Sequence, residues 1–114
     1  MNLYNYFINF IFIFYIMSYD ELPSVNKIIE DHLIVIFSKP SCVYCDLAAD
    51  LLTDKNVSFI KFNIGDYTDD DNFDDFFTEL IEKTNQKTFP MIFMKQKFIG
   101  GYTDLKKLID GIDE

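Results

Sequence analysis

The chain has no tryptophan, one histidine and only two cysteines in 114 residues. Each scarcity excludes something. Two cysteines, both within Cys42-Val43-Tyr44-Cys45, cannot build the multi-bridge framework of a small secreted scaffold. With His32 as the sole histidine, a zinc site lacks the two further ligands it would need, and His32 reads as a surface or capping residue. No calcium-loop spacing occurs among the acidic residues, so no metal site is expected. Basic residues are few as well, ten against nineteen acidic ones, for a formal net charge of −9. That balance excludes nucleic acid as a partner, because phosphate binding relies on clustered cations. The acidic excess reads as a solvated surface.

What is present suits one folded unit. Hydrophobic residues make up 49% and charged residues 25%, as in an ordinary globular domain. A unit of this size buries a core without staples. Residues 1–17 stand apart: they carry no charged side chain, and Phe7 to Met17 is apolar except for Asn9. The run is shorter than the roughly 20 residues of a spanning helix. No Lys or Arg precedes it and no small-residue cleavage pattern follows. Three readings stay open: a signal or membrane anchor, an apolar extension packed on the domain, or codons upstream of a true start at Met17. The folded domain is expected over residues 18–114.

Along that domain, Val25, Ile28 and Ile29 mark a short helix after Pro23-Ser24. Leu33 to Phe37 has the continuous apolar pattern of a strand buried on both faces. A helix follows from Cys42 to about Lys55, then a strand from Val57 to Ile64. Asp66 to Asp75 reads as a solvated acidic loop. A helix from Phe76 to about Thr84 precedes a strand from Thr88 to Met94, with Pro90 at its entry. Lys95-Gln96-Lys97 turns the chain into a last strand ended by Gly100-Gly101. Leu105, Leu108 and Ile109 then face inward on a helix that stops at Gly111. The order α-β-α-β-α-β-β-α predicts an α/β fold around a mixed sheet flanked by helices.

The chemistry concentrates at Cys42, where a buried strand passes into a helix. Free N–H groups and the positive end of the helix dipole converge there. Both favour thiolate, and Lys39 adds a positive charge nearby. Such sites lower a cysteine pKa from about 8.5 toward roughly 3.5–7.5. Cys45 lies one turn further on, within bridging reach and more shielded. Asp46 and Asp50 oppose ionisation mainly at Cys45. Cys42 is therefore the expected nucleophile and Cys45 the resolving thiol. In a domain that folds without it, an isolated C-x-x-C points to redox chemistry in a reducing compartment.

Three segments taken together, Lys39-Pro40-Ser41-Cys42-Val43-Tyr44-Cys45, Thr88-Phe89-Pro90 and Gly100-Gly101-Tyr102-Thr103-Asp104-Leu105, resemble the glutaredoxin family. The resemblance runs from Ser24 to Ile112 and implies a thioredoxin-like fold with a mixed four-stranded sheet. Thioredoxin itself is a poorer match, since W-C-G-P-C is missing. Val43 replaces the proline of the dithiol motif C-P-Y-C, while Cys45 separates the chain from the monothiol C-G-F-S branch. The family's T-V-P becomes Thr88-Phe89-Pro90, which implies a cis Pro90 facing Cys42.

The resemblance also implies a glutathione groove. Phe89 backbone would pair with the cysteinyl unit, and Lys39 with Gln86 or Lys87 would meet the glycyl carboxylate. Gly101, Tyr102, Thr103 and Asp104 would hold the γ-glutamyl end, with Tyr44, Thr88 and Pro90 completing the walls. The implied activity is reduction of protein–glutathione mixed disulfides and protein disulfides, with glutathione as reductant and no tightly bound cofactor. Partners would be glutathione and disulfide-bearing proteins, acting on a cytoplasmic monomer. The alternatives are an iron–sulfur cluster held by Cys42 and glutathione, or a membrane-tethered or luminal oxidoreductase if residues 1–17 are translated.

Overall fold

The computed structural model describes residues 21–112. The readings of residues 1–17, including a start at Met17, lie outside them. Helix α1 (Val25–Asp31) begins after Ser24, whose hydroxyl accepts a hydrogen bond from Lys27 N at 3.1 Å, and it buries Val25, Ile28 and Ile29. Strand β1 (Ile34–Ser38) is buried at all five positions, as the apolar run Ile34 to Phe37 requires, with the polar Ser38 buried at its end. Leu33 does not join it and is 60% exposed.

Helix α2 (Val43–Asp54) buries Cys45, Ala48 and Leu52. It ends in a turn with Asn56 at φ 58° and Val57 N donating back to Leu52 O at 3.0 Å. That turn removes Val57 from the expected strand, so β2 spans only Ile60–Asn63. A 3-10 turn (Ile64–Tyr67) follows. Helix α3 (Phe73–Thr84) starts three residues before the expected Phe76. Asp74 and Asp75 thereby enter its first turn, where the helix dipole favours carboxylates. The acidic stretch is more than a solvated loop: the Asp70 carboxylate accepts from Leu22 N at 3.1 Å and Asn72 N at 2.8 Å.

Strand β3 (Met91–Met94) begins after Pro90, not at Thr88, because proline has no N–H for the ladder. The two-residue turn Lys95-Gln96 leads to β4 (Lys97–Gly100). Helix α4 (Tyr102–Ile112) continues past the expected stop at Gly111. It buries Leu105 and Ile109, whereas Leu108 lies at the edge of the buried face and is 40% exposed.

The sheet order is β2-β1-β3-β4, with β1 parallel to β2 and the other pairs antiparallel. Alternation along β1 feeds two cores. On one face Val35 and Phe37 pack under α1 and α3, with Phe37 edge-on to Phe62, Phe76 and Phe93 at 5.6–6.1 Å. On the other, Ile34 and Ile36 meet Ala48 and Leu52 of α2 and Leu105 and Ile109 of α4. The register pairs Phe37 with Met91 and Ile92 with Gly100. One end of the sheet thus gathers the loop after β1, the loop before β3 and the start of α4.

Candidate active site

The loop Lys39-Pro40-Ser41 turns through a left-handed Ser41 (φ 58°) and delivers Cys42 as the N-cap of α2. Cys42 Sγ accepts from Cys45 N at 3.2 Å, and Cys42 O accepts from Asp46 N at 3.2 Å. The two cysteines are joined in a disulfide with Cα atoms 5.2 Å apart. Cys45 is fully buried and Cys42 is 8% exposed, so only the first sulfur borders solvent. Asp46, one residue beyond Cys45, is paired with Lys61 of β2 at 2.7 Å. Its charge, which opposes ionisation of the cysteines, is therefore partly offset.

The opposing loop carries a cis Phe89–Pro90 bond. Gln86 braces it: its side-chain amide donates to Thr88 O at 2.7 Å and to Pro90 O at 3.1 Å. The third segment starts at Gly100, whose φ of 118° suits glycine and where a Cβ would collide with the Asp104 carboxylate. Asp104 Oδ2 accepts from Gly101 N at 3.2 Å, the reciprocal half of a capping box at the start of α4. The rings of Tyr44 and Tyr102, 6.0 Å apart, link the starts of α2 and α4.

Between these segments lies an open groove of about 280 Å³, lined by Tyr44, Gln86, Thr88, Phe89, Pro90, Gly101, Tyr102, Thr103 and Asp104. All nine belong to the ligand site that the family resemblance implies. Lys39 and Lys87, both exposed, belong to the same implied site but do not line the groove. The Lys39 ammonium instead lies 6.0 Å from the centre of the Phe89 ring. Among the described residues no group of three or more His, Cys, Asp or Glu side chains gathers to hold a metal ion.

A glutaredoxin family model matches residues 34–99. The mitochondrial glutaredoxin-2 of Homo sapiens is 37% identical over 86 residues, covering 74% of this chain and 49% of its own. Glutaredoxin-2 of Schizosaccharomyces pombe is 36% identical over 84 residues, covering 74% of each chain. The chain belongs to the glutaredoxin family. It spans about half the length of the human glutaredoxin. Among solved structures, the dithiolic glutaredoxin of Trypanosoma brucei brucei superposes with a TM-score of 0.68 at 27% identity, covering 79% of this chain and 90% of the other. The buckwheat glutaredoxin–glutathione complex gives 0.64 at 26% identity, covering 75% and 76%. The fold is thioredoxin-like: a mixed four-stranded sheet between helices.

Within this glutaredoxin, two contributors carry no mark of the site in the sequence. Gly65 backs the loop before Cys42, since a Cβ there would lie 2.6 Å from the Pro40 ring. Phe77 of α3 packs behind Phe89, their ring centres 6.5 Å apart. Neither Gly65 nor Phe77 has a local signature, because each acts through a contact between separate segments. Gln86, which the resemblance does imply for the groove, spends its amide donors on the Pro90 loop.

Proposed function

We propose that this chain is a glutathione-dependent thiol–disulfide oxidoreductase, reducing protein–glutathione mixed disulfides and protein disulfides. The observation that carries this reading is the Cys42–Cys45 pair at the start of α2, at the same end of the sheet as a groove lined by peptide-like backbone and by Asp104. A relative's structure as a complex with glutathione supports the ligand.

Cys42 is the nucleophile. When reduced, its sulfur sits at a helix N-terminus, beside the Cys45 N–H that points at it, and both favour thiolate. The thiolate attacks the glutathionyl sulfur of the mixed disulfide, and the substrate thiolate leaves and takes up a proton. The thiolate of a second glutathione then attacks Cys42–glutathione, releasing oxidised glutathione and regenerating the Cys42 thiolate. With a protein disulfide, Cys42 forms the mixed disulfide and Cys45 resolves it, leaving the Cys42–Cys45 bond seen here. Two glutathiones then reduce that bond.

In the groove, Phe89 backbone pairs with the cysteinyl unit between Tyr44, Thr88 and Pro90. Lys39 and Lys87 face the glycyl carboxylate, with Gln86 holding the loop of Lys87. The γ-glutamyl carboxylate meets the N–H groups of Tyr102 and Thr103 beside Gly101, and Asp104 meets the ammonium. No resident cofactor is needed. One protomer contains every group the reaction uses, so a monomer is the working state. Glutathione as donor places the reaction in a reducing compartment such as the cytoplasm.

A cluster-binding role through Cys42 is not favoured by the relatives or by the site. A membrane-tethered role depends on residues 1–17, outside the described residues, among which no helix is long and apolar enough to cross a membrane. The test is turnover of a glutathionylated peptide with glutathione and enzymatic recycling of its oxidised form. Wild type turns over, Cys42→Ser does not, and Cys45→Ser keeps deglutathionylation but loses protein-disulfide reduction. Undiminished turnover by Cys42→Ser overturns the assignment.

A further inference from the structure

All ten basic residues of this chain are lysines. Recognition of a carboxylate here therefore has no guanidinium fork with built-in geometry. It relies on a point charge at the end of a flexible four-carbon stem. Something else must aim that charge, and the Phe89 ring is placed to do so.

Phe89 stands where the resembled motif has valine, and its ring is half-buried. Behind it lies Phe77 of α3, at 6.5 Å between ring centres, and Phe77 in turn stacks on Phe73 at 6.0 Å. The Lys39 ammonium lies 6.0 Å from the Phe89 ring centre, and Phe89 also lines the groove. One ring thus adjoins a helix face, the cation of the nucleophile's loop and the ligand channel. Valine lacks the π face that attracts an ammonium.

We propose that Phe89 is a positioning and specificity-determining residue: braced by Phe77, it holds Lys39 at the groove's edge to receive the glycyl carboxylate of glutathione. This rests on the glutathione reading above. Phe89 acts here through Lys39 and on recognition, while the sulfur chemistry at Cys42 proceeds without it. A valine-sized side chain leaves the lysine stem to wander in solvent, and the carboxylate must then order it on binding.

The experiment is steady-state turnover of a glutathionylated peptide by wild type, Phe89→Leu, Phe89→Tyr, Lys39→Gln and the Phe89→Leu/Lys39→Gln double variant. Phe89→Leu raises KM for the peptide about two- to fivefold, the scale of an exposed cation–π contact. Its kcat and the pH profile of Cys42 alkylation stay where they are in wild type. Phe89→Tyr, which keeps the π face, raises KM less than Phe89→Leu does. In the Lys39→Gln background Phe89→Leu adds nothing. A peptide bearing glutathione amidated at its glycyl carboxylate removes the difference between wild type and Phe89→Leu. Phe77→Leu, which leaves the ring but loosens its brace, gives a smaller rise in the same KM. Additive effects of Phe89→Leu and Lys39→Gln overturn the proposal, as do an unchanged KM in Phe89→Leu, a KM in Phe89→Tyr as high as in Phe89→Leu, or a moved alkylation profile. Failure of the underlying glutathione reading looks different: wild type itself then shows no turnover.

Discussion

Gly65 lies so close to Pro40 that a Cβ on it would sit 2.6 Å from two ring carbons of that proline. Pro40 is two residues before Cys42, so the contact sets where the nucleophile's loop rests. Adding a methyl group there forces the Pro40 ring to move, and misplacing a reacting group by about 1 Å costs on the order of a hundredfold in rate. Gly65→Ala is expected to lower kcat/KM for a glutathionylated peptide by at least about tenfold. Combining it with Pro40→Ala, which removes the obstructing ring atoms, restores most of that loss. Equal losses in the single and double variants would sever Gly65 from the loop. Nothing local in the sequence marks this pair, because 25 positions separate its members. Cys42 and Cys45 were legible for the opposite reason, being joined within one turn of helix at a strand end.

Elements differ in how clearly the sequence declares them. Strand β1 is unmistakable, since five consecutive residues are buried on two faces and only Ser38, at its end, has a polar side chain. The start of α3 is not, because Asp74 and Asp75 look like loop until the helix dipole is counted in their favour. Asp70 is read as surface for a similar reason, although its carboxylate receives Leu22 N from 48 positions away. Removing it leaves that N–H and Asn72 N without their acceptor, so Asp70→Ala is expected to destabilise by about 1–3 kcal/mol in urea unfolding. The β3–β4 turn is strained in a different way. Lys95 and Gln96 both adopt positive φ, 51° and 69°, which costs an L-residue with a side chain roughly 1–2 kcal/mol each. Lys95→Asn with Gln96→Gly, the pair such a turn prefers, is expected to raise stability by about 1 kcal/mol. The turn lies far from the cysteines, at the other end of the β3–β4 pair, and turnover stays as it was. A lower midpoint in the same unfolding experiment contradicts this.

The molecule as a whole carries a net charge of −9, yet the described cations Lys39 and Lys87 belong to the segments beside the groove. The surrounding field favours approach by cationic partners. Glutathionylated peptides flanked by lysines are expected to react faster than ones flanked by glutamates, with a gap that shrinks as salt screens it. Equal rates at low and high salt would argue that the field plays no part. At this scale the fold was largely readable, because the alternation of apolar runs and turns specifies the order of elements. The groove was readable only through family resemblance. Its walls come from three segments that meet because β1, β3 and β4 pair in one register, and no local pattern states that register.

The central claim is that Cys42 takes the glutathionyl group itself. Intact-mass analysis of the Cys45→Ser variant after brief exposure to a glutathionylated peptide reads this directly. The account predicts one added glutathionyl group on Cys42 and release of the free peptide thiol. A disulfide between the protein and the peptide, or an unmodified protein beside unreacted peptide, contradicts it.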